Sequence, residues 1–273
     1  ADFTFTEDPQ TIASDYRFPN QNLAVFAENI LYLHDKLSVT PGIRYEYIYT
    51  TAEGFYGTIL RDLAGNIINA ARTNETRTNG RQFVLGGIGI SYKPANTLDI
   101  YANISQNYRS ITFSDMRITN PSSVIDPNLK DEKGYSLDLG VRSANTTLYS
   151  YDVSGFYLNY NNRIGEVQFY DESQRVLRRR GNIGQAVIFG LESYAESDLL
   201  RLLQPQRTNV SGVLFANIAV IQSSYKAGEI AGVVGKEVEF VPKLNLKSGF
   251  RVGYKQLKAS FQYTYLSDQY TEA

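Results

Sequence analysis

The side chains that most enzymes use for catalysis are scarce in this sequence of 273 residues. It has no cysteine, one methionine and one histidine, which removes thiol chemistry and disulfides and leaves too few ligands for a soft-metal site. A hydrolase needs a general base beside a nucleophile or an activated water, and histidine most often fills that role. The one histidine, His34, stands in a short polar link, which is typical of a turn residue that faces water.

Charged side chains are the remaining chemical resource. The sequence has 27 Lys+Arg and 28 Asp+Glu, a formal net charge of -1, so no overall field favours nucleic acid or an anionic surface. The densest positive group is Arg178-Arg179-Arg180. Taken alone, this run is compatible with a solvated loop and also with a contact to the phosphates of anionic lipid.

Most of the chain alternates between apolar and polar residues. From residue 37 to 49 the odd positions are apolar and the even positions are small, polar or charged, with Ile48 as the exception. Side chains of a β-strand point alternately to its two faces, so such a segment has one apolar and one polar face. About ten segments follow this pattern, at residues 21–33, 37–49, 81–92, 98–109, 134–142, 149–157, 183–197, 208–224, 244–254 and 257–265. The sequence therefore predicts an all-β fold.

The length of these segments indicates what the apolar face meets. Strands of soluble sandwiches usually have about 5–6 residues, whereas most of these have roughly 12–14. At about 3.3 Å per residue and a tilt near 40°, 13 residues rise about 33 Å, which exceeds the roughly 30 Å of a hydrocarbon core. The strands are therefore predicted to cross a membrane, with a soluble β-rich binding module as the alternative.

The links between the segments alternate in length. Short links lie near residues 34–36, 93–96, 143–146 and 255–256, long ones at 51–80, 110–131, 165–181 and 226–239, and 198–207 is the exception to strict alternation. Outer-membrane barrels join their strands in this way, with short periplasmic turns and long extracellular loops. Tyrosines near the short links, Tyr32, Tyr92, Tyr149 and Tyr254, fit an interfacial girdle. We expect an antiparallel transmembrane β-barrel segment with His34 on the periplasmic side.

Several motifs resemble those of the TonB-dependent outer-membrane receptors. Residues 37–45 read L-x-x-x-P-G-x-R-Y and follow a partner strand at 20–29, and residues 182–192 read N-x-G-x-A-x-x-x-G-x-E. Residues 241–246 resemble a strand start of that family, and 101–115 resemble its ferric-dicitrate receptor branch. The resemblance covers residues 18–273. It implies an arc of about ten strands from a barrel of 22, with 1–19 as an extracellular loop, 20–273 as the strands and no plug domain in the chain.

The resemblance also implies a function. A receptor of this kind imports ferric citrate or a ferric siderophore across the outer membrane of a Gram-negative bacterium, driven by the TonB-ExbB-ExbD complex through an N-terminal region that this sequence does not contain. Its partners are the ferric chelate and outer-membrane lipid, with no nucleic acid. The iron travels as chelated cargo, so no cofactor or protein-bound metal is expected, and no enzymatic activity.

Candidate site residues follow from the same resemblance. A ferric chelate is anionic, so arginines and polar groups near the mouth are its expected ligands. The ligand-binding candidates are Arg109, Arg163, Arg175, Arg178, Arg179, Arg180, Gln106, Asn107 and Tyr108. Charged residues of the inner face are expected to contact the plug, namely Arg44, Glu46, Asp99, Asp138, Arg142 and Glu192. Two other functions stay open: an importer of oligosaccharides or another nutrient, and an outer-membrane barrel enzyme.

Overall fold

The strands of the chain form one sheet. In the computed structural model, residues 14–118, 122–143, 148–206, 209–228 and 232–271 are described. Their strands are β1 (Ser14–Arg17), β2 (Asn20–Glu28), β3 (Leu31–His34), β4 (Leu37–Arg61), β5 (Ile67–Ala95), β6 (Leu98–Arg109), β7 (Ser123–Ile125), β8 (Glu132–Ser143), β9 (Tyr149–Tyr170), β10 (Val176–Asp198), β11 (Val210–Ala227), β12 (Leu244–Tyr254) and β13 (Leu257–Leu266). Two short helices accompany them, α1 (Phe113–Met116) and α2 (Leu199–Leu203). None of the helices in these ranges is long and apolar enough to cross a membrane.

The strands occupy ten positions in the sheet. Neighbours pair in the order β1-β4-β5-β6-β8-β9-β10-β11-β12-β13. β2 and β3 pair with β4 like β1, so these three share one position, and the short β7 runs parallel to β10. All other pairs are antiparallel. Ten antiparallel strand positions confirm the predicted fold, and within the described residues the sheet ends at β1–β3 on one side and at β13 on the other.

The two faces of the sheet differ in the predicted way. On the outer face apolar side chains are open to the surroundings: Ile43 is 57% exposed and Leu139 is 64% exposed. On the inner face lie the charged residues, and Asp99 is only 2% exposed there. Ile48, the exception in the sequence pattern, is buried on the inner face. The outward apolar face has no protein partner among the described residues, as expected of a wall that faces lipid.

Two of the predicted long loops are wrong, because the strands continue through them. β4 and β5 pair from Leu37↔Tyr92 up to Arg61↔Ile67, with one shift of register at the last pair, and β9 and β10 pair up to Tyr170↔Val176. Residues 51–80 and 165–181 are therefore tall hairpins with tips at 62–66 and 171–175. Beyond the membrane neither face of a hairpin must be apolar, so the alternation fades while the backbone pairing goes on.

Both hairpin tips are closed by an aspartate. Asp62 Oδ1 accepts hydrogen bonds from the backbone N–H groups of Ala64 (2.9 Å) and Asn66 (2.8 Å). Asp171 Oδ1 accepts from those of Ser173 (2.9 Å) and Arg175 (2.8 Å). The strand ends that carry these tips are called the long-hairpin end of the sheet below. The opposite strand ends, which are joined by tight turns at 35–36, 96–97 and 255–256, are called the short-turn end.

The remaining links are partly described. The predicted link 110–131 contains α1 and β7, with 119–121 outside the described residues. In the predicted loop 1–19, Ser14–Arg17 form β1 against β4, and 1–13 lie outside the described part. Residues 144–147, which overlap the predicted short link 143–146, and residues 229–231 of the long link 226–239 lie outside the described part.

Apolar packing between protein segments is concentrated at the long-hairpin end. One cluster joins Ala52, Ile111, Met116 and Ile164, and a second joins Ile183, Ala186, Tyr225, Val233 and Val238. Both form where links fold back against the wall. This packing fixes the position of α1 and of residues 232–241, which surround the cavity described below.

The assignment of the faces predicts different effects of one substitution on two neighbouring strands. Leu137 pairs with Ile104 on the outer face, and the next pair, Asn103 with Asp138, points to the inner face. Leu137 and Asn103 therefore lie at almost the same height in the membrane. In the full-length gene product, Leu137→Arg should lower the free energy of unfolding in phospholipid vesicles by about 2–4 kcal/mol, because the charge meets lipid. Asn103→Arg should change it by only about 0.5 kcal/mol. Equal losses for both would refute the assignment.

Candidate ligand-binding site

A cavity opens on the inner face at the long-hairpin end. Its volume is about 650 Å³. Its wall comes from β9 and β10, and α1 and residues 233–240 close it on other sides. Four cationic side chains line it, Arg109, Arg178, Arg180 and Lys236, together with three carboxylates, Asp115, Glu166 and Glu239. The cavity is thus a polar chamber with a small excess of positive charge.

The pairing of β9 with β10 decides which arginines of the run reach the cavity. Arg178 lies opposite Gln168, and Arg180 lies opposite Glu166, and all four line the cavity. Arg179, between them, points to the other face, where its guanidinium stands 5.8 Å from the centre of the Phe169 ring. The run is therefore part of a strand, which presents alternate residues to one site, and it is not the loop considered from sequence.

Asp115 is the fully buried centre of the site. Its carboxylate accepts hydrogen bonds from Arg109 Nη2 (3.1 Å) and Arg180 Nη1 (2.9 Å). It also accepts from the backbone N–H (2.8 Å) and hydroxyl (2.7 Å) of Thr112, the residue that caps α1. Burial opposes ionisation of this carboxyl, but the Thr112 bonds and the two guanidinium groups outweigh it and hold its pKa below the usual value.

Glu132 forms a second buried centre beside the first. Its Oε1 accepts from Arg109 Nη1 (3.1 Å) and from the backbone N–H of Ile164 (2.9 Å). Arg163 Nη1 stands 3.7 Å from its Oε2, and Arg163 Nη2 lies 3.5 Å from Glu239. Glu239 in turn accepts a 2.7 Å hydrogen bond from the Tyr225 hydroxyl. These contacts connect β6, β8, β9, β11 and the link before β12 in one network.

The network separates two kinds of cation. Arg109 and Arg180 each contact two carboxylates, and Arg163 also contacts two, so their charges are largely compensated. Arg178 and Lys236 line the same cavity, and among the described residues no carboxylate stands within ion-pair distance of either. These two cations are the ones available to an incoming anion.

Other predicted ligand residues lie elsewhere. Arg175 pairs with Asp171 at the hairpin tip, with 2.7 Å between guanidinium and carboxylate, and it does not line the cavity. The backbone N–H of Arg175, followed by its side chain, also lowers the pKa of Asp171. With Arg179 on the other face, two of the nine predicted ligand residues are directed away from the chamber.

The upper part of β6 departs from regular pairing. Above Ser105 the β5–β6 pairing ends, and the side-chain oxygen of Gln106 accepts a 2.9 Å hydrogen bond from the backbone N–H of Gly86. Tyr108 stacks on Phe83, with ring centres 3.6 Å apart, and donates its hydroxyl hydrogen to Asp131. The side-chain oxygen of Asn107 is buried and has no hydrogen-bond partner in the described part of the chain. None of these three residues lines the cavity.

The six residues predicted to contact a plug lie on the inner face in different states. Arg44 pairs with Glu46 on its own strand. Asp99 accepts from Arg142 Nη2 at 2.8 Å and from the Ser91 hydroxyl at 2.7 Å. Asp138 and Glu192 differ from these, because neither forms an ion pair with another described residue.

Sequence reasoning missed Lys236, Glu132 and Asp115 as parts of the site. Lys236 lies in a link, where no alternation shows the direction of a side chain. Glu132 and Asp115 are acidic, and a search for residues that bind an anion considers only cationic and polar side chains. It therefore does not find the carboxylates that hold the arginines of the site in place. The motif at 101–115 did contain Asp115, so its sequence neighbourhood was a usable signal.

Comparisons with known proteins agree with this geometry. The family model "TonB dependent receptor-like, beta-barrel" matches residues 1–273. The chain belongs to the TonB-dependent receptor family. It therefore lies in the outer membrane, and its family is one of receptors and transporters.

Individual relatives cover the chain well but are much longer. It is 25% identical over 210 residues to the rhizobactin receptor of Rhizobium meliloti (strain 1021), which is 68% of this chain and 28% of that protein. The siderophore receptor PiuA from Acinetobacter baumannii matches 94% of this chain with a TM-score of 0.65 and 14% identity, and the copper transporter OprC matches 93% with 0.64 and 16%. This chain covers 34% and 36% of those two structures. At such identities the solved structures support the fold alone.

Asp115 is predicted to hold α1 and the two arginines together. Asp115→Asn removes the charge that Arg109 and Arg180 share, and we expect it to weaken this contact by about 1–3 kcal/mol. Amide hydrogen exchange at residues 111–116 of the full-length gene product should then be about 10- to 100-fold faster. Asp62→Asn, at a distant hairpin tip, serves as the control. Unchanged exchange in Asp115→Asn would show that the apolar cluster alone holds α1.

The same carboxylate predicts a dependence on pH. Its pKa in the folded protein is lowered from the ordinary 3.8, so the stabilisation is complete above about pH 4 and is lost as the pH falls through the folded value. Exchange at residues 111–116, corrected for the intrinsic rate at each pH, should stay slow down to about pH 4 and accelerate below it. The Asp115→Asn variant should lack this step, and a step that persists in it would assign the titration to another group.

Proposed function

We propose that the receptor formed with this wall imports anionic ferric chelates, of the ferric citrate or siderophore class, through TonB-dependent transport. The observation that carries the proposal is the chamber at the long-hairpin end, with Arg178 and Lys236 uncompensated on its surface. A chelate that carries carboxylates or phenolates is recognised by charge-assisted hydrogen bonds from such groups. The iron needs no protein ligand, since the chelator supplies its coordination.

The site is built to keep arginines charged and in position. Asp115 and Glu132 fix Arg109, Arg163 and Arg180 by ion pairs in a partly enclosed space. Guanidinium groups that are already fixed lose little conformational entropy when an anion binds. These arginines can therefore donate further hydrogen bonds to an anion held by Arg178 and Lys236. In this role Arg109 and Arg180 support the ligand site, and Arg163 connects it to the link before β12.

The long-hairpin end is then the extracellular side, and the short-turn end faces the periplasm. The charged inner face, including Arg44, Glu46, Asp99, Asp138, Arg142 and Glu192, provides the surface for a plug domain. Energy for transport comes from the TonB-ExbB-ExbD complex, which acts through that plug. The names of two relatives support the iron assignment, since PiuA is described as a siderophore receptor and the Rhizobium meliloti relative as a rhizobactin receptor.

The alternatives fit the chamber less well. An oligosaccharide importer would place aromatic rings against sugar faces, whereas Phe240 is the one aromatic ring among the described residues that line the cavity. Free copper, the cargo in the name of OprC, would need a group of metal ligands, and no such group of histidines or carboxylates occurs in the described ranges. For a barrel enzyme, His34 stands at the short-turn end, away from the chamber.

Uptake of radioactive iron tests the proposal. A TonB-competent bacterium that lacks its own ferric-chelate receptors would express the full-length gene product and receive ferric citrate or ferric siderophores of the carboxylate, catecholate and hydroxamate classes. We expect saturable uptake of an anionic chelate that stops when TonB is deleted. Absence of uptake for every chelate would contradict the function.

The site assignment is tested in the same assay. Arg178→Ala and Lys236→Ala should each weaken the apparent affinity for the imported chelate about tenfold, since a hydrogen bond to a charged group contributes about 1.5–3 kcal/mol. Arg175→Ala, whose side chain is outside the cavity, is the matched control and should leave uptake unchanged. Uptake that is normal in the first two variants would reject the chamber as the ligand site while leaving the function intact.

A further inference from the structure

The link between β10 and β11 is unlike the other described turns at the short-turn end. Those turns have two residues, whereas this link carries α2, with the sequence Leu-Leu-Arg-Leu-Leu. No residue of α2 is buried, and Leu203 is 79% exposed. Four leucines open to the surroundings in five residues need an apolar partner, because exposed apolar surface of this kind is unfavourable in water.

The leucines share one side of the helix. At 100° per residue, Leu199, Leu200, Leu202 and Leu203 span an arc of about 160°, and Arg201 lies opposite the centre of that arc. Arg201 turns back to the protein, where its Nε stands 3.3 Å from Asp198. The helix is thus amphipathic, with most of its apolar side exposed and its polar side attached to the strand that precedes it.

Contacts with the wall fix α2 against the outer face. Asp198 Oδ1 accepts hydrogen bonds at 3.1 Å from the backbone N–H groups of both Arg201 and Gly212. A Cβ atom built on Gly212 would point to the outer face and would stand only 2.7 Å from Leu200. The next outward residue of β11, Leu214, is 53% exposed. The leucines therefore continue the apolar outer face downward.

The exposure of α2 does not arise from a sheet edge. β11 has neighbours on both sides, β10 and β12, so strands beyond the two ends of the sheet would not cover it. Its height matches the tyrosines predicted to mark the interface. Tyr149 pairs with Ser197, two residues before α2, and Tyr254 pairs with Val210 at the start of β11. Both rings are exposed on the outer face.

From these observations we propose that α2 is an interfacial lipid anchor. Its leucines insert between the headgroups and acyl chains of the leaflet at the short-turn end, and Asp198 with Gly212 holds the helix in the plane of that interface. Short amphipathic segments bind lipid in this way, with the apolar side about 5–10 Å below the boundary. The anchor sets the depth of the β10–β11 corner in the membrane and does not depend on which cargo is transported.

Spin-label depth measurements test the anchor. The chain contains no cysteine, so Leu203→Cys introduces one label site into it, in a full-length background freed of any other cysteine. The labelled protein is reconstituted into phospholipid vesicles with no other protein, and oxygen and a water-soluble nickel chelate serve as relaxing agents. Leu214→Cys on the outer face is the lipid reference, and Ser173→Cys at a hairpin tip is the water reference.

We expect the label at position 203 to lie about 5–10 Å below the lipid phosphates. The ratio of its relaxation by oxygen to its relaxation by the nickel chelate should be close to the ratio at position 214. A label that meets the nickel chelate as freely as at 173 would overturn the proposal and leave α2 as a surface for water or for a soluble partner. Leu199→Cys repeats the measurement at a second position of the same arc, so a folding defect in one variant does not decide the outcome.

Discussion

Inside a lipid bilayer, the need to pair every backbone hydrogen-bonding group determines most other features of this structure. With no water available, each N–H and C=O group in the hydrocarbon region must bond to a neighbouring strand. For the strands between the two ends of the described sheet, the pairing from β1–β3 to β13 does this, and it leaves only side chains to meet lipid on one face and the interior on the other. The exposed apolar outer face and the charged inner face both follow from that arrangement.

Above the membrane the same pairing has a different use. The hairpins β4–β5 and β9–β10 extend as paired ladders, and links fold back on their inner sides to form two small apolar clusters and the network around Asp115 and Glu132. Burying a charge costs free energy, and here the cost is offset because each buried carboxylate of this network has guanidinium partners. The polar chamber at this end is therefore a consequence of where the wall leaves the bilayer.

Sequence patterns predicted the wall better than the site, for a physical reason. Alternation shows the face of a strand only where the two faces meet different media. It therefore predicts the faces of Ile43 and Leu137 correctly, whereas it is absent from the hairpins at 51–80 and 165–181, whose sequences resemble loops. Strand parity would have shown that Arg179 and Arg180 point apart, had the strand been recognised. Lys236 and the contacts of Asp115 depend on how links fold back, which no local pattern encodes.

We propose that the chamber lined by Arg178 and Lys236 receives an anionic iron chelate. The most direct measurement is anomalous X-ray diffraction at the iron absorption edge, on crystals of the full-length gene product soaked with the ferric chelate that it imports. We expect an iron peak within the cavity, with chelate oxygens in contact with Arg178 and Lys236. An iron peak elsewhere on the receptor, with this cavity empty, would contradict it.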